Sequence, residues 1–94
     1  ALTEQAVVDT STMHLHVSWR IARQLGLEPV DCRELEDPNG QRRSVPYVGP
    51  IEVEYMDRRC YVGAVVLGEE VSLGLLALEE MDLVEPNRAR HAAR

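Results

Sequence analysis

Apolar positions along this chain come mostly in short alternating runs, and only two stretches carry helical spacing. Residues 2–8 read as a strand that turns fully apolar just before Asp9. Residues 9–13 are polar and read as a loop. Met13, Leu15 and Val17 then alternate with His14 and His16, as a brief extended piece does. Ser18 is placed to cap a helix over 19–25, in which Ile21, Ala22 and Leu25 share one face and Arg20, Arg23 and Gln24 the other. Gly26 follows as a helix-ending residue, and Pro29 prevents a return to helix.

A second strand is expected over 30–36, with imperfect alternation. Asp37-Pro38-Asn39-Gly40 is the strongest turn signal in the chain, since Pro suits a turn corner and Asn-Gly tolerates positive φ. Residues 41–48 return as the other arm of a hairpin that is polar through its tip and so projects from the body. Gly49-Pro50 reads as a break. Residues 51–55 form a clean period-two strand, acidic on one face. Asp57 and Arg58 make a tight connection, and 60–67 are apolar enough for a strand covered on both faces. After a turn at Gly68-Glu69-Glu70, a short strand over 71–74 ends in glycine. A helix follows over 75–81, then a final strand over 82–85. These elements predict a mainly β domain with one or two short helices over 1–85, and a polar, disordered tail over 86–94.

Composition narrows this picture. With 94 residues there is room for one core, and 4% aromatics with no Phe make that core aliphatic. So small a core gains from oligomerisation. The net charge of −6 argues against a general nucleic-acid surface. Cys32 and Cys60 lie in strand-like runs and are expected to be buried free thiols. No apolar run is long enough to span a membrane and no signal-peptide pattern opens the chain, so a cytoplasmic protein is the simplest expectation.

The candidate chemistry centres on Asp9. A carboxylate at the end of a buried strand is costly unless its neighbours hydrogen-bond to it, and Thr10 and Ser11 offer such partners. The alternative is that Asp9 merely opens a turn, which Asp, Thr and Ser all favour. His14 and His16 share a face and could share a metal, but a third ligand would have to come from a carboxylate or from His91 in the tail. A surface pair is the simpler reading, and no metal is expected. There is no GxSxG elbow and no phosphate-binding glycine spacing. The acidic rows Glu52/Glu54 and Glu69/Glu70 read as solvated faces.

The order of elements adds to this. Ala6-Val7-Val8-Asp9-Thr10-Ser11-Thr12, the hairpin over 36–47, and Ser72-Leu73-Gly74-Leu75-Leu76-Ala77-Leu78 resemble, in sequence, the retropepsin-like aspartic proteases. Val45-Pro46-Tyr47-Val48-Gly49-Pro50-Ile51-Glu52-Val53 and Val62-Gly63-Ala64-Val65-Val66-Leu67-Gly68 look like the bacterial members. The resemblance spans roughly residues 5–84. It implies a small closed β-barrel, a homodimer in which each chain contributes Asp9 to a shared dyad, a peptide or protein substrate, and no cofactor. It also implies that Thr10 binds across the dimer and that Thr10, Ser11 and Thr12 support the active-site loop. Asp37, Pro38, Asn39 and Gly40 would form the flap, and Leu73 and Gly74 would pass close beneath the Asp9 loop. An aspartic endopeptidase is thus the expected activity, with a non-catalytic domain for dimerisation or extended-peptide binding as the alternative. Ser11 stands where the family usually has Gly, where a side chain would crowd the substrate backbone or demand an unfavourable backbone angle. The chain also begins only eight residues before Asp9, so dimerisation is expected to use a surface other than interleaved terminal strands, unless the native chain is longer.

Overall fold

The computed structural model describes residues 2–37 and 39–83. The expectations for Pro38, for Val84 and Glu85, and for the 86–94 tail with His91 lie outside the described residues. Six strands and two short helices follow one another as β1 (Ala6–Val8), β2 (Leu15–Val17), α1 (Trp19–Gln24), β3 (Asp31–Glu36), β4 (Arg42–Tyr55), β5 (Arg58–Val66), β6 (Val71–Leu73) and α2 (Leu75–Glu80). The strands form one sheet in the order β1-β6-β2-β5-β4-β3. It curls into a half-barrel, and its end strands β1 and β3 do not pair with each other among the described residues. The domain is therefore mainly β.

Local signals account for most element boundaries. Ser18 Oγ accepts the Ile21 N–H at 3.2 Å, which satisfies one of the free donors at the start of α1. Gly26 ends the helix at φ 71°, with its N–H donating to Arg23 O and that of Leu27 to Ala22 O. At the β3–β4 turn, Asp37 Oδ1 accepts the Asn39 and Gln41 N–H groups, each at 2.9 Å, and Gly40 supplies φ 82°. Met56 and Asp57 both adopt positive φ between the paired residues Tyr55 and Arg58, which is the geometry a two-residue hairpin requires.

The core lies on one face of the sheet. Leu15 and Val17 of β2, Val48 of β4, Ala64 and Val66 of β5 and Leu73 of β6 are buried there with Ile21 and Ala22 of α1 and Ala77 and Leu78 of α2. Three expectations are corrected. Residues 2–5 precede the strand rather than forming it, and β1 is not buried: among the described residues it is bonded to β6 alone, leaving Val7 47% and Val8 46% exposed. Gly49-Pro50 does not break the chain into separate strands; β4 runs through it with a register shift between Val48 and Ile51. A bulge absorbs the missing proline donor, and Gly49 at φ 125° makes the bend. Cys32 is exposed on the edge strand β3, whereas Cys60 is buried. Two smaller departures follow the same pattern: Tyr61 of β5 is exposed, so that strand is covered on both faces only toward its end, and Asp82 adopts φ 59°, a turn rather than a strand.

Candidate functional site

Asp9 sits immediately after β1, at the mouth of a tight turn. Its own N–H donates to Leu73 O at 3.0 Å, which continues the parallel β1–β6 ladder by one step. Its Oδ1 accepts two bonds from Ser11, from the backbone N–H at 2.9 Å and from Oγ at 2.5 Å. The Asp9 carbonyl accepts the Thr12 N–H and hydroxyl at 3.4 and 3.3 Å. The two Ser11 donors favour the charged form of the carboxyl. The Ser11 hydroxyl foremost, then the Ser11 N–H, hold the Asp9 carboxyl below its usual range, with a smaller contribution from His16. Thr10 is exposed and makes no hydrogen bond to the carboxylate among the described residues. Ser11 lies outside the left-handed region, where the non-glycine residues are Met56, Asp57 and Asp82. A side chain at this position therefore costs no backbone strain.

The turn is clamped from the other side by the β6–α2 junction. The Leu75 N–H donates to Thr12 O at 2.8 Å and the Leu76 N–H to Met13 O at 3.0 Å. These are first-turn donors of α2 that the helix itself cannot satisfy. Gly74 makes the approach possible. A Cβ there would lie 2.5 Å from His14 O and 2.8 Å from the carbonyl carbon and oxygen of Met13. Leu73 and Gly74 are thus packed directly against the loop that carries Asp9.

Beside this loop, side chains from every strand fall in line. Val7 pairs with Ser72, Ser72 with His16, His16 with Val65, Val65 with Tyr47 and Tyr47 with Asp31. Directly opposed residues share a sheet face, so this row crosses all six strands on the face opposite the core. Tyr47 leans over Gly63, where any Cβ would fall on its ring. The His14 ring meets it edge-on at 6.2 Å, and the Arg33 guanidinium lies 3.8 Å from its centroid. Asp31 Oδ2 accepts from Arg33 Nη1 at 2.8 Å, which holds the cation over the ring. Burial pushes both imidazoles below their usual range. Arg33 adds to this at His14, and His14 adds to it at His16, where Asp9 opposes it.

Comparison with protein-family models, with curated proteins and with solved structures finds no match. Asp9, Ser11, Thr12, Leu73 and Gly74 are brought together. Among the described residues no hydrogen bond joins the hairpin tip to them; Asp37, Asn39 and Gly40 bond among themselves and to Gln41. No group of three or more metal-ligating side chains is gathered among the described residues. The sequence assigns no site role to Ser72, Tyr47, Arg33 or Asp31. Only strand register puts Ser72, Tyr47 and Asp31 in one row with His16, and no local signal carries register over such separations.

Proposed function

We propose that this chain is one half of a dimeric aspartic endopeptidase of the retropepsin kind, with Asp9 as its contribution to a two-carboxylate site. The observation that carries this reading is the interlock between the Asp9 loop and the Gly74 turn: one bond from Asp9 N–H to Leu73 O, two from the start of α2, and a glycine where no Cβ fits. That construction holds a partly exposed carboxylate in a rigid turn, and a catalytic group needs such rigidity. On this reading a second copy completes the barrel-like site and Thr10, exposed beside Asp9, reaches across to the partner.

Two carboxylates about 3 Å apart cannot both ionise, so the pair keeps one proton. The ionised member takes a proton from a water as its oxygen adds to the peptide carbonyl carbon. The protonated member donates to the carbonyl oxygen, giving a neutral tetrahedral diol. The carboxyl that took the water's proton then gives it to the amide nitrogen while a diol hydroxyl returns its proton to the other carboxylate, and the C–N bond breaks to release an amine and a carboxylic acid. The 37–41 turn serves as the flap, closing over an extended peptide and excluding water.

A second reading is a non-catalytic domain of the same ancestry that binds an extended peptide or dimerises. Ser11 favours it, because its hydroxyl stabilises the charged form of Asp9 and so opposes proton sharing. The two are separated by incubating the parent chain, Asp9→Asn and Ser11→Gly with a mixed peptide library between about pH 4 and 7, the range in which a shared-proton dyad works. The peptidase reading expects cleavage that falls at least about 100-fold in Asp9→Asn and rises in Ser11→Gly. Sedimentation at micromolar concentration should show a dimer. Cleavage that persists in Asp9→Asn excludes the dyad. No cleavage by either the parent or Ser11→Gly leaves the binding reading.

A further inference from the structure

The Asp9 loop and the row of side chains beside it form one surface. The Asp9 N–H continues the β1–β6 ladder, so strand alternation turns Asp9 to the same side as Val7. Val7 is in register with Ser72, and Ser72 with His16. His14 lies on this face too, since its ring meets that of Tyr47 edge-on at 6.2 Å. Asp9 acts on His16 and Arg33 on His14, which orders the charged groups as Asp9, His16, His14, Arg33 and Asp31. An extended peptide with one bond held at Asp9 therefore sets nearby side chains against Ser72 and the two imidazoles.

These groups are not equally free. Arg33 is held by Asp31, and Asp9 by Ser11. His14 and His16 are half-buried, yet among the described residues neither ring makes a hydrogen bond or an ion pair. No buried side-chain nitrogen or oxygen lacks a partner among the described residues, so the ring nitrogens of both open to solvent. The half-buried Ser72 hydroxyl is likewise unbonded among the described residues. Val65, which follows His16 in the row, is fully buried, so polar contacts here come from the side chains that flank it. His14 disfavours the charge on His16, which places the two rings close enough to repel when both are protonated. A carboxylate between them accepts a bond from each and cancels that repulsion, with the Ser72 hydroxyl as a third donor. An apolar side chain would strip water from the same donors and offer nothing in return. A basic one would meet two imidazoles with Arg33 behind them.

We propose that His14, His16 and Ser72 form a specificity site for an acidic side chain, so that the favoured substrate is an extended peptide with glutamate or aspartate within a few residues of the cleaved bond. This deepens the peptidase reading and rests on it for the placement of the peptide. The imidazoles carry charge only below their lowered folded values, whereas a glutamate side chain is ionised above about pH 4.3. The preference therefore belongs to mildly acid solution. The other titratable groups facing the pair are Asp9, Tyr47, Arg33 and Asp31; the Arg33–Asp31 pair keeps both charges through that window, since its arginine is raised and its carboxyl lowered.

The test uses the chain as it stands and two end-capped octapeptides that differ only in a central glutamate or glutamine. Affinity is read by fluorescence anisotropy, and cleavage by kcat/KM, at about pH 5.5 and about pH 8. The glutamate peptide is expected to bind below about 1 mM and about tenfold more tightly than the glutamine peptide at the lower pH. That preference should vanish at the higher pH and in the double variant His14→Gln, His16→Gln, which should keep its far-UV spectrum and its affinity for the glutamine peptide. No binding of the glutamate peptide, equal affinity for the two at the lower pH, or a preference that survives in the double variant overturns the proposal. Acetate that shifts the imidazole NMR signals as strongly as the peptide at equal concentration gives the site to a free anion and equally overturns it. The two readings fail separately. Cleavage of both peptides with equal kcat/KM keeps the peptidase and removes the acid site, whereas a tenfold binding preference without cleavage keeps the acid site and removes the peptidase.

Discussion

Replacing Gly74 with alanine tests whether the Asp9 loop and the β6–α2 junction form one unit. Gly74 sits at φ −91° and ψ −175°, a conformation open to any residue, so the backbone itself imposes no penalty. The cost is steric. The new Cβ would meet His14 O at 2.5 Å and two Met13 carbonyl atoms at 2.8 Å, all of them backbone that cannot rotate away. Relief requires the start of α2 to move from the loop, which stretches the Leu75–Thr12 and Leu76–Met13 bonds of 2.8 and 3.0 Å. Overpacking costs about 1–3 kcal/mol, and weakening one such bond roughly 1 kcal/mol. The reduced freedom of the unfolded chain returns about 0.4–1 kcal/mol. The net expectation is a loss of about 2–3 kcal/mol, a fall in Tm of roughly 10–20 °C for a domain of this size. Urea unfolding monitored by circular dichroism measures it. Gly68→Ala is the control, since nothing lies within 4 Å of a Cβ there and only its φ of 77° is strained. It should lose about 1–2 kcal/mol. A Gly74→Ala protein within about 0.5 kcal/mol of the parent would show that the loop and the junction are not locked together, and the argument for a rigid Asp9 would fail.

Ser11→Ala removes the strongest stabiliser of the Asp9 carboxylate and keeps the Ser11-position N–H bond, so the Asp9 pKa should rise, as a carbon-detected NMR titration of its carboxyl would show; an unchanged value would mean the hydroxyl is turned away. Acid should destabilise the fold in two stages. His14 and His16 have folded pKa values below their ordinary 6.5, so the unfolded chain binds more protons and stability falls as pH drops below that value. Asp9 and Asp31 are likewise lowered from 3.8, and their contribution is lost further down, as pH falls through the folded values. Urea midpoints taken from about pH 7.5 to 3 measure both stages, and His14→Gln with His16→Gln should flatten the first. Gly63→Ala places a methyl on the Tyr47 ring and should cost about 1–3 kcal/mol while releasing Arg33 from its stack; a near-neutral result would mean Tyr47 does not rest on the strand.

Features that depend on neighbours a few residues away are legible in the sequence. Ser18 and Gly26 bracket α1 because a side-chain oxygen and a positive φ act on the turn they adjoin. Asp37 and Gly40 close the hairpin for the same reason. The Asp9-Thr10-Ser11-Thr12 turn was visible as a turn, and Ser11 does hold the carboxylate. Gly49-Pro50 looks like a break in the sequence, yet β4 continues through it because β5 pairs with it on either side of the bulge, at Val48 and again from Ile51. Cys32 looked like Cys60, since both lie in strand-like runs; their fates differ because β3 is an edge and β5 is central.

The chain's own order of residues specified most of the strand segments and their turns, and that a carboxylate with hydroxyl neighbours follows the first of them. These are outcomes of local backbone preference and short hydrogen bonds. Which strands adjoin was decided only on folding. It made β1 an exposed edge rather than a buried strand, set Gly74 beneath Met13 and His14, and aligned Ser72, His16 and Tyr47 on one face. Among the described residues it also curled the sheet into a half-barrel with β1 and β3 as its end strands. Strand order and register arise from long-range burial, in which each strand chooses its partners by the core face they jointly cover, and no stretch of the sequence carries that information alone.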